Sequence, residues 1–287
     1  MSRVAVIVPC FDDGATLPET LATLAGQEPH ELVVVDDGST DPATLEVLAG
    51  LEADGVRVVH RPNGGLSAAR MTGVEATGAP YVFPLDADDA LVPGAIALLA
   101  DALDADPEAA VAWGDIDVWG ELSAQLAVAR SLDPWLLTYV NDVPVASLVR
   151  RAALLEVGGW CMGSGYEDWD LWLALAERGY RGVHVPAPTF RYRRRSGRML
   201  DTATPRHAEL YSRLRDRHGA LFAARGRNRS RSSAPLRAKL AFPLIERLPL
   251  DPFTRHRLYL LVNRPRQILS LRRLRGRART HAAVASG

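Results

Sequence analysis

Three clusters of acidic residues punctuate the first third of a 287-residue chain: Asp12-Asp13, Asp36-Asp37 and Asp86-Ala87-Asp88-Asp89. Each follows a short apolar run. Carboxylates gathered on one edge of a fold repel one another unless a cation or hydrogen-bond donors intervene. Hard oxygen ligands of this kind suit Mg²⁺ or Mn²⁺, ions that also bridge the oxygens of a bound diphosphate. Aspartate at a strand end also serves turns and caps. Asp41, followed by Pro42, has that simpler reading as a helix N-cap, whereas Asp86 and Asp88 are read as functional because their spacing recurs in a matching strand context. The dinucleotide fingerprint G-x-G-x-x-G is missing after the first apolar run, where Pro9-Cys10-Phe11-Asp12-Asp13-Gly14 stands, and the Walker sequence is missing too. What remains is a nucleotide held through a metal rather than in a glycine cradle.

The elements that must position these acids alternate. Val4 to Val8, ended by Pro9, reads as a strand buried on both faces. Leu17, Leu21 and Leu24 have helical spacing, with Gly26 as a stop. Leu32–Val35 is a second strand, residues 41–51 a helix and Val56–Val59 a third strand. Gly64-Gly65 leads into a helix with Leu66, Ala69 and Gly73 on one face, and Tyr81–Phe83 is a fourth strand. Such alternation with short connections predicts a mostly parallel, Rossmann-like α/β sheet with helices on both faces. Ligands of open sheets of this class bind beyond the carboxyl ends of the strands, where the acids stand. The rhythm then changes. A helix is expected over 93–103, and strands near 111–119, 125–129, 145–149 and 189–192. A strong helix over 167–178 puts Trp169, Trp172, Leu173 and Ala176 on one face. From about residue 200 the pattern is helical, interrupted by a Ser/Arg/Gly-rich linker near 225–233.

Four motifs in order resemble the family 2 glycosyltransferases: Val6-Ile7-Val8-Pro9-Cys10-Phe11-Asp12-Asp13, Val34-Val35-Asp36-Asp37-Gly38-Ser39-Thr40-Asp41, Asn63-Gly64-Gly65-Leu66-Ser67-Ala68-Ala69-Arg70 and Leu85-Asp86-Ala87-Asp88-Asp89. The resemblance covers about residues 3–200. It implies the A-type glycosyltransferase (GT-A) fold and transfer, with inversion, from a nucleoside-diphosphate sugar to a hydroxyl acceptor. By the resemblance, Pro9 and Phe11 border the nucleobase and Asp37 bonds it, with Asp12 and Arg70 also in the donor site. Asp86, Ala87 and Asp88 match the family's D-x-D, which implies Asp88 as ligand of a Mn²⁺ or Mg²⁺ on the diphosphate, Asp86 near the ribose or sugar, and Asp89 sharing the metal. Met71 stands where the family often has Asn after that Arg.

Gly165-Tyr166-Glu167-Asp168-Trp169 resembles the family's E-D motif at the start of a helix, which implies Asp168 as catalytic base with Glu167 second to it. An inverting displacement needs a carboxylate to take the acceptor's proton, and a helix N-terminus favours the ionised form. Capping of the same helix is the competing role for Asp168. Tyr192-Arg193-Arg194-Arg195-Ser196-Gly197-Arg198-Met199 resembles the family's loop over the diphosphate, so Arg193, Arg194 and Arg195 are weaker candidates for neutralising the leaving group. Trp160, Trp169 and Trp172 could face a sugar acceptor, but core packing is the simpler reading. His60 and His184 are read as structural, and Cys10, with no basic neighbour in sequence, as a small apolar residue.

Charge completes the reading. Lys+Arg and Asp+Glu are 34 each, so the chain is neutral overall and argues against a general nucleic-acid binder. Residues 225–287 nevertheless hold 16 basic and 2 acidic residues, a charge of +14 that leaves −14 on residues 1–224. Asymmetry of this kind reports partners. The expected organisation is a catalytic domain over 1–224, with a nucleotide-sugar half 1–110 and an acceptor half 111–224, followed by a basic helical extension 225–287. That extension either rests on a membrane surface, self-associates, packs on the acidic body or is a partly disordered arm. Two cysteines cannot make a disulfide framework, the N-terminus lacks the features of a signal peptide, and no run approaches the ~18 apolar residues of a membrane span. A cytoplasmic protein, free or at the inner face of the plasma membrane, is expected. The acceptor is a glycan or a lipid-linked sugar. Two other readings stay open: a sugar-nucleotide or glycan binding module without catalysis, and a sugar nucleotidyltransferase, whose lysine-bearing N-terminal loop is not matched by a chain with Lys239 alone.

Overall fold

A computed structural model describes residues 2–120, 124–126, 128–163, 165–194 and 205–265. Val4–Cys10 (β1) is buried at all seven positions. It lies between Glu31–Asp36 (β2) and Tyr81–Pro84 (β4), parallel to both, and Val58–His60 (β3) extends the sheet parallel to β2. Successive side chains of a strand face opposite sides, and β1 obeys this. Ile7 joins one core cluster with Val33, Val35, Trp169 and Trp172. Val4, Val6 and Val8 join another with Val34, Phe83 and Leu99. Both faces need covering, and the connections supply helices: Leu17–Ala22 (α1), Pro42–Ala53 (α2) and Leu66–Glu75 (α3). Helix α3 sits close on the sheet through Gly73, where a Cβ would stand 2.3 Å from Ile7 Cγ2.

Beyond β4 the sheet turns mixed. Leu148–Arg150 (β8) runs antiparallel to β4 and to Ala109–Gly120 (β6). The long Arg181–Arg194 (β9) is parallel to β6, and Ala90–Leu91 (β5) pairs antiparallel with β9. Ala124–Leu126 (β7) pairs with β6 off the main path, and the order is β3-β2-β1-β4-β8-β6-β9-β5. Ala95–Ala105 (α4) buries Ile96, Leu99 and Leu103, Arg151–Glu156 (α5) follows β8, and Glu167–Glu177 (α6) enters the core with Trp169, Trp172 and Leu173. The fold is the expected α/β sheet with flanking helices.

The C-terminal part is helical: His207–Arg217 (α7), Gly219–Ala223 (α8), Arg225–Arg231 (α9), Leu236–Glu246 (α10) and Pro252–Asn263 (α11). The linker expected near 225–233 is mostly helix α9. Arginine forms helix readily, and Arg225 is anchored over the Tyr139 ring at 4.0 Å and on Thr138 Oγ1 at 2.8 Å. The chain breaks only at Ser232-Ser233, where both hydroxyls and the Ser233 N–H donate to Asp133. Helices α10 and α11 then pack on the segment after β7 through Trp135, Tyr139, Phe242 and Tyr259. Trp135 and Phe242 stack with centroids 5.5 Å apart, an arrangement that adds to area burial.

Candidate functional site

The acids after β1 and β2 are tied into their own loops. Asp12, at φ +54°, accepts from the N–H groups of Thr40 at 2.7 Å and Asp41 at 2.8 Å. Asp36 accepts from the Ser39 N–H at 2.9 Å and from His60 Nδ1 at 2.8 Å. Burial pushes the Asp36 carboxyl up, but Ser39 and His60 outweigh it and hold it below the ordinary range, and His60 is raised in return. Asp37 is buried and accepts from the N–H groups of Gly64 at 3.0 Å and Gly65 at 2.7 Å, with Arg61 in a close ion pair. Gly65 reaches this position at φ +85°, a conformation that suits glycine. Asp13 is half-buried. Of the residues expected around a nucleobase, Pro9 is buried in β1 and Phe11 is open to solvent beside Asp12. Both oxygens of Asp37 are engaged by this chain's own donors.

The turn after β4 presents a second set. The Asp89 N–H donates to the Asp86 carbonyl at 3.1 Å, and the buried Ala87 carbonyl accepts from Thr20 Oγ1 at 2.9 Å. That pins the turn from both sides and leaves Asp86 and Asp88 half-buried at its rim. Asp89, expected beside the metal, points inward at 1% exposure, where its Oδ1 accepts from the Arg193 N–H at 2.7 Å. Burial first, then Asp86 and Asp88, push its carboxyl well above the ordinary range. Arg193 also donates from Nε to the Asp88 carbonyl at 2.8 Å, pairs with Glu19 at 2.6 Å and lies 3.9 Å over the Trp119 ring. It fastens the end of β9 to the acidic turn. Arg194 is the last residue of β9, opposite Gly120, and Arg195 lies outside the described residues.

Arg70 joins this turn to the other half of the sheet. Its side chain is fully buried, and it donates to Asp86 Oδ1 at 2.7 Å and to Glu167 Oε1 at 3.0 Å. Burial lowers the affinity of the guanidinium for its proton, and the two carboxylates more than restore it. Glu167 opens α6, and the chain enters that helix through Gly165 at φ +101° and Tyr166 at φ +62°. A tyrosine in the left-handed region is strained, a feature that clusters at functional sites. Asp168 follows, half-buried, with Oδ1 on the Trp169 N–H at 2.7 Å and Oδ2 on Asn141 Nδ2 at 2.9 Å. Burial first and then Glu167 push its carboxyl up to about 7, against the pull of the Trp169 N–H, Arg70 and Asn141. Half a turn on, Asp170 faces the opposite way. It pairs with Arg217 at 2.7 Å and His218 at 3.0 Å, which overcome burial and keep it low.

Asn141 and Arg61 are the partners that the motifs did not reveal. Asn141 lies in an irregular stretch with no periodic signal, 27 residues from the carboxylate it bonds. Trp160, Trp169 and Trp172 are buried in the core, and Trp169 Nε1 donates to the Leu137 carbonyl at 2.7 Å. Burial pushes the Cys10 thiol up to about 11, as expected of an inert apolar residue, and His184 bonds Asp115 at 2.9 Å.

Among the described residues no group of three His, Cys, Asp or Glu could hold a metal by itself. The turn fits a different kind of site. Mg²⁺ and Mn²⁺ are commonly held by one or two carboxylates, with substrate phosphates and water completing the shell. Asp88, with Asp86 beside it, offers hard oxygens of that type at a half-open rim, whereas Asp89 is turned inward. The residues fit a cation that arrives with a diphosphate.

Residues 5–138 match the model of glycosyl transferase family 2. A protein of Myxococcus xanthus named O-antigen biosynthesis protein RfbC is 31% identical over 191 residues, 63% of this chain and 14% of that protein. The uncharacterized protein y4gI of Sinorhizobium fredii is 33% identical over 127 residues, 43% of this chain and again 14% of that protein. The chain thus spans about a seventh of the length of these curated relatives. Among solved structures, S. aureus TarS 1–349 in complex with UDP-GlcNAc superposes with a TM-score of 0.60 at 18% identity, covering 89% of this chain and 69% of that one. The same fragment in complex with UDP gives 0.57 at 18% identity, over 86% and 70%.

Proposed function

We propose that this chain, whose residues 5–138 match the model of glycosyl transferase family 2, is a glycosyltransferase of that family and moves a sugar from a nucleoside-diphosphate sugar to a hydroxyl acceptor, with inversion, in the synthesis of a glycan, cell-envelope polysaccharide or glycolipid. UDP is the favoured nucleotide, because the TarS structures of the same fold hold UDP-GlcNAc and UDP. Polysaccharide synthesis is favoured by the name of the M. xanthus relative. The observation that carries the reading is the Arg70 bridge. It links Asp86 of the turn to Glu167 at the head of α6 in two hydrogen bonds, which sets the D-x-D turn beside the helix end that carries Asp168.

In this reading Asp168 is the base. As the acceptor oxygen attacks C1 of the sugar, the carboxylate takes the hydroxyl proton, and the bonding pair between C1 and the phosphate oxygen leaves with the diphosphate. Asn141 and the Trp169 N–H hold the carboxylate in place. Arg70 is too deep to reach a substrate. Its positive charge lies beneath Asp86 and Glu167 and allows several acids to share one region. A divalent cation bound by Asp88, with Asp86 near it, would neutralise the leaving diphosphate.

The test is a thermal-shift panel of UDP-, GDP- and dTDP-sugars, with and without Mn²⁺, on the wild type and Asp88→Ala. One nucleotide class is expected to stabilise the wild type only with Mn²⁺, and to lose that effect in the variant. A shift that needs no Mn²⁺ and survives Asp88→Ala removes the cation and diphosphate role of the turn.

A further inference from the structure

Helix α10 is apolar on two sides. One side, with Ala238, Phe242 and Ile245, is packed into the aromatic cluster that holds it to the body. The other carries Leu236, Leu240 and Leu244, with Leu248 just beyond the helix, at 70%, 55%, 62% and 47% exposure. They recur every fourth residue, so they form one ridge. A second apolar side on a helix calls for a second apolar environment, and no apolar partner covers this ridge among the described residues.

Charge selects the occupant. Arg237 is exposed on the same helix, Arg247 is exposed just after it, and Lys239 is half-exposed. Among the described residues Arg237 bonds only backbone carbonyls, so no acid there compensates its charge. The two acids nearby are already used: Glu246 pairs with Arg225 and Asp251 caps α11. The sequence after α11 adds Arg266, Arg272, Arg273, Arg275, Arg277 and Arg279 with no acid. A second copy of the chain is a poor match, because a twofold contact sets each patch against itself and would bring these cations together. The ridge is also one residue wide, whereas a stable protein interface takes about 20–30 residues a side. An anionic bilayer surface meets both demands. It accepts an apolar ridge at the depth of the headgroups and attracts the flanking cations.

We propose that the outer face of α10 is a membrane-docking surface, which rests by its leucine ridge on anionic lipid. No helix among the described residues is long and apolar enough to cross a membrane, and the contact proposed for α10 is peripheral. The proposal does not depend on the glycosyl-transfer reading.

Co-sedimentation of the full chain with phosphatidylcholine vesicles, with and without phosphatidylglycerol, tests it. The wild type is expected on the anionic vesicles, with binding that falls as salt rises. The double variant Leu240→Ser/Leu244→Ser is expected to bind at least ~10-fold more weakly. Arg247→Gln is expected to bind about fivefold more weakly. The Mn²⁺-dependent thermal shift with donor should be unchanged in both. If the double variant misfolds, Leu236→Ser at the most open position should weaken binding in the same direction. Wild-type protein that ignores anionic vesicles, or leucine variants that bind like wild type, would overturn the proposal. A wild-type dimer in light scattering that the leucine substitutions dissolve, without any change in vesicle binding, would assign the ridge to a second copy instead.

Discussion

Two sets of carboxylates occupy the same edge of one sheet and live in opposite conditions. Asp12, Asp36 and Asp37 follow β1 and β2, and each accepts from at least one backbone N–H at 3.0 Å or less. Arg61 and His60 add positive charge, and Asp36 is held below the ordinary carboxylate range. At Asp89 after β4 and at Asp168 at the head of α6, the donors among the described residues fall short of the buried charge. Asp89 has one backbone N–H for a buried carboxylate, and its Oδ2 has no partner among the described residues. Asp168 has two donors, yet burial and Glu167 still raise it to about 7. The difference lies in the ratio of donors to buried charge. The first set spends its charge on fixing loops. The second keeps charge unbalanced, and acid–base chemistry near neutrality requires such imbalance.

The largest expected effect breaks the second set at Asp168. Asp168→Asn keeps the shape and loses the proton acceptor, so transfer should fall by about 10²–10⁴-fold while the Mn²⁺-dependent thermal shift with donor persists. Near-normal turnover would move the base elsewhere. The wild-type rate should also drop as pH falls below about 7, because only the ionised carboxylate accepts a proton. Stability has its own sign. A carboxyl raised on folding keeps its proton where the unfolded chain has lost it, so the folded state loses stability as pH rises from the ordinary value through about 7. Asp168→Asn should therefore gain more in Tm at pH 8 than at pH 5.

A smaller effect isolates Asn141, whose amide pulls the Asp168 carboxyl down. Asn141→Ala should move the acid limb of the rate profile upward by less than about one pH unit. At pH 6 that lowers kcat several-fold and leaves the KM for donor unchanged. A merely structural asparagine would lower Tm and leave the limb where it was. Asn141 also shows where the sequence stopped being informative. Strand β1 was legible because five apolar residues in a row fit only a strand buried on both faces, and α6 because its tryptophans and leucines keep helical spacing. The D-x-D turn was legible as a motif. Asn141 acts across an irregular segment with no period, so nothing local marks it. The inward turn of Asp89 was hidden for a related reason. Adjacent residues at a strand entry face opposite sides, and only the arrival of β9 decides which of Asp88 and Asp89 is covered. Helix α9 was hidden because Arg225 finds its hydroxyl partners, Tyr211 and Thr138, 14 and 87 residues away.

The smallest expected effect comes from the first set and runs in the same direction with pH, for the opposite reason. His60 is raised by Asp36, so its contribution is full below its unfolded value near 6.5 and is lost as pH rises through the raised folded value. Asp36 is depressed, so its share is present above its ordinary value near 3.8 and is lost as pH falls through the lower folded value. The pair is therefore at full strength between those two ordinary values. The His60 side chain is 49% exposed, and solvent screening keeps such a contact below about 1 kcal/mol. His60→Gln should thus lower Tm by a few degrees at most at pH 5.5 and have almost no effect at pH 9. If its penalty were equal at both values, the imidazole would be contributing packing rather than charge, and donors alone would account for the low Asp36. Asp168→Asn gains with rising pH and His60→Gln recovers with rising pH for opposite physical reasons. The first removes a buried negative charge that lacks compensation. The second removes a positive charge that compensates one.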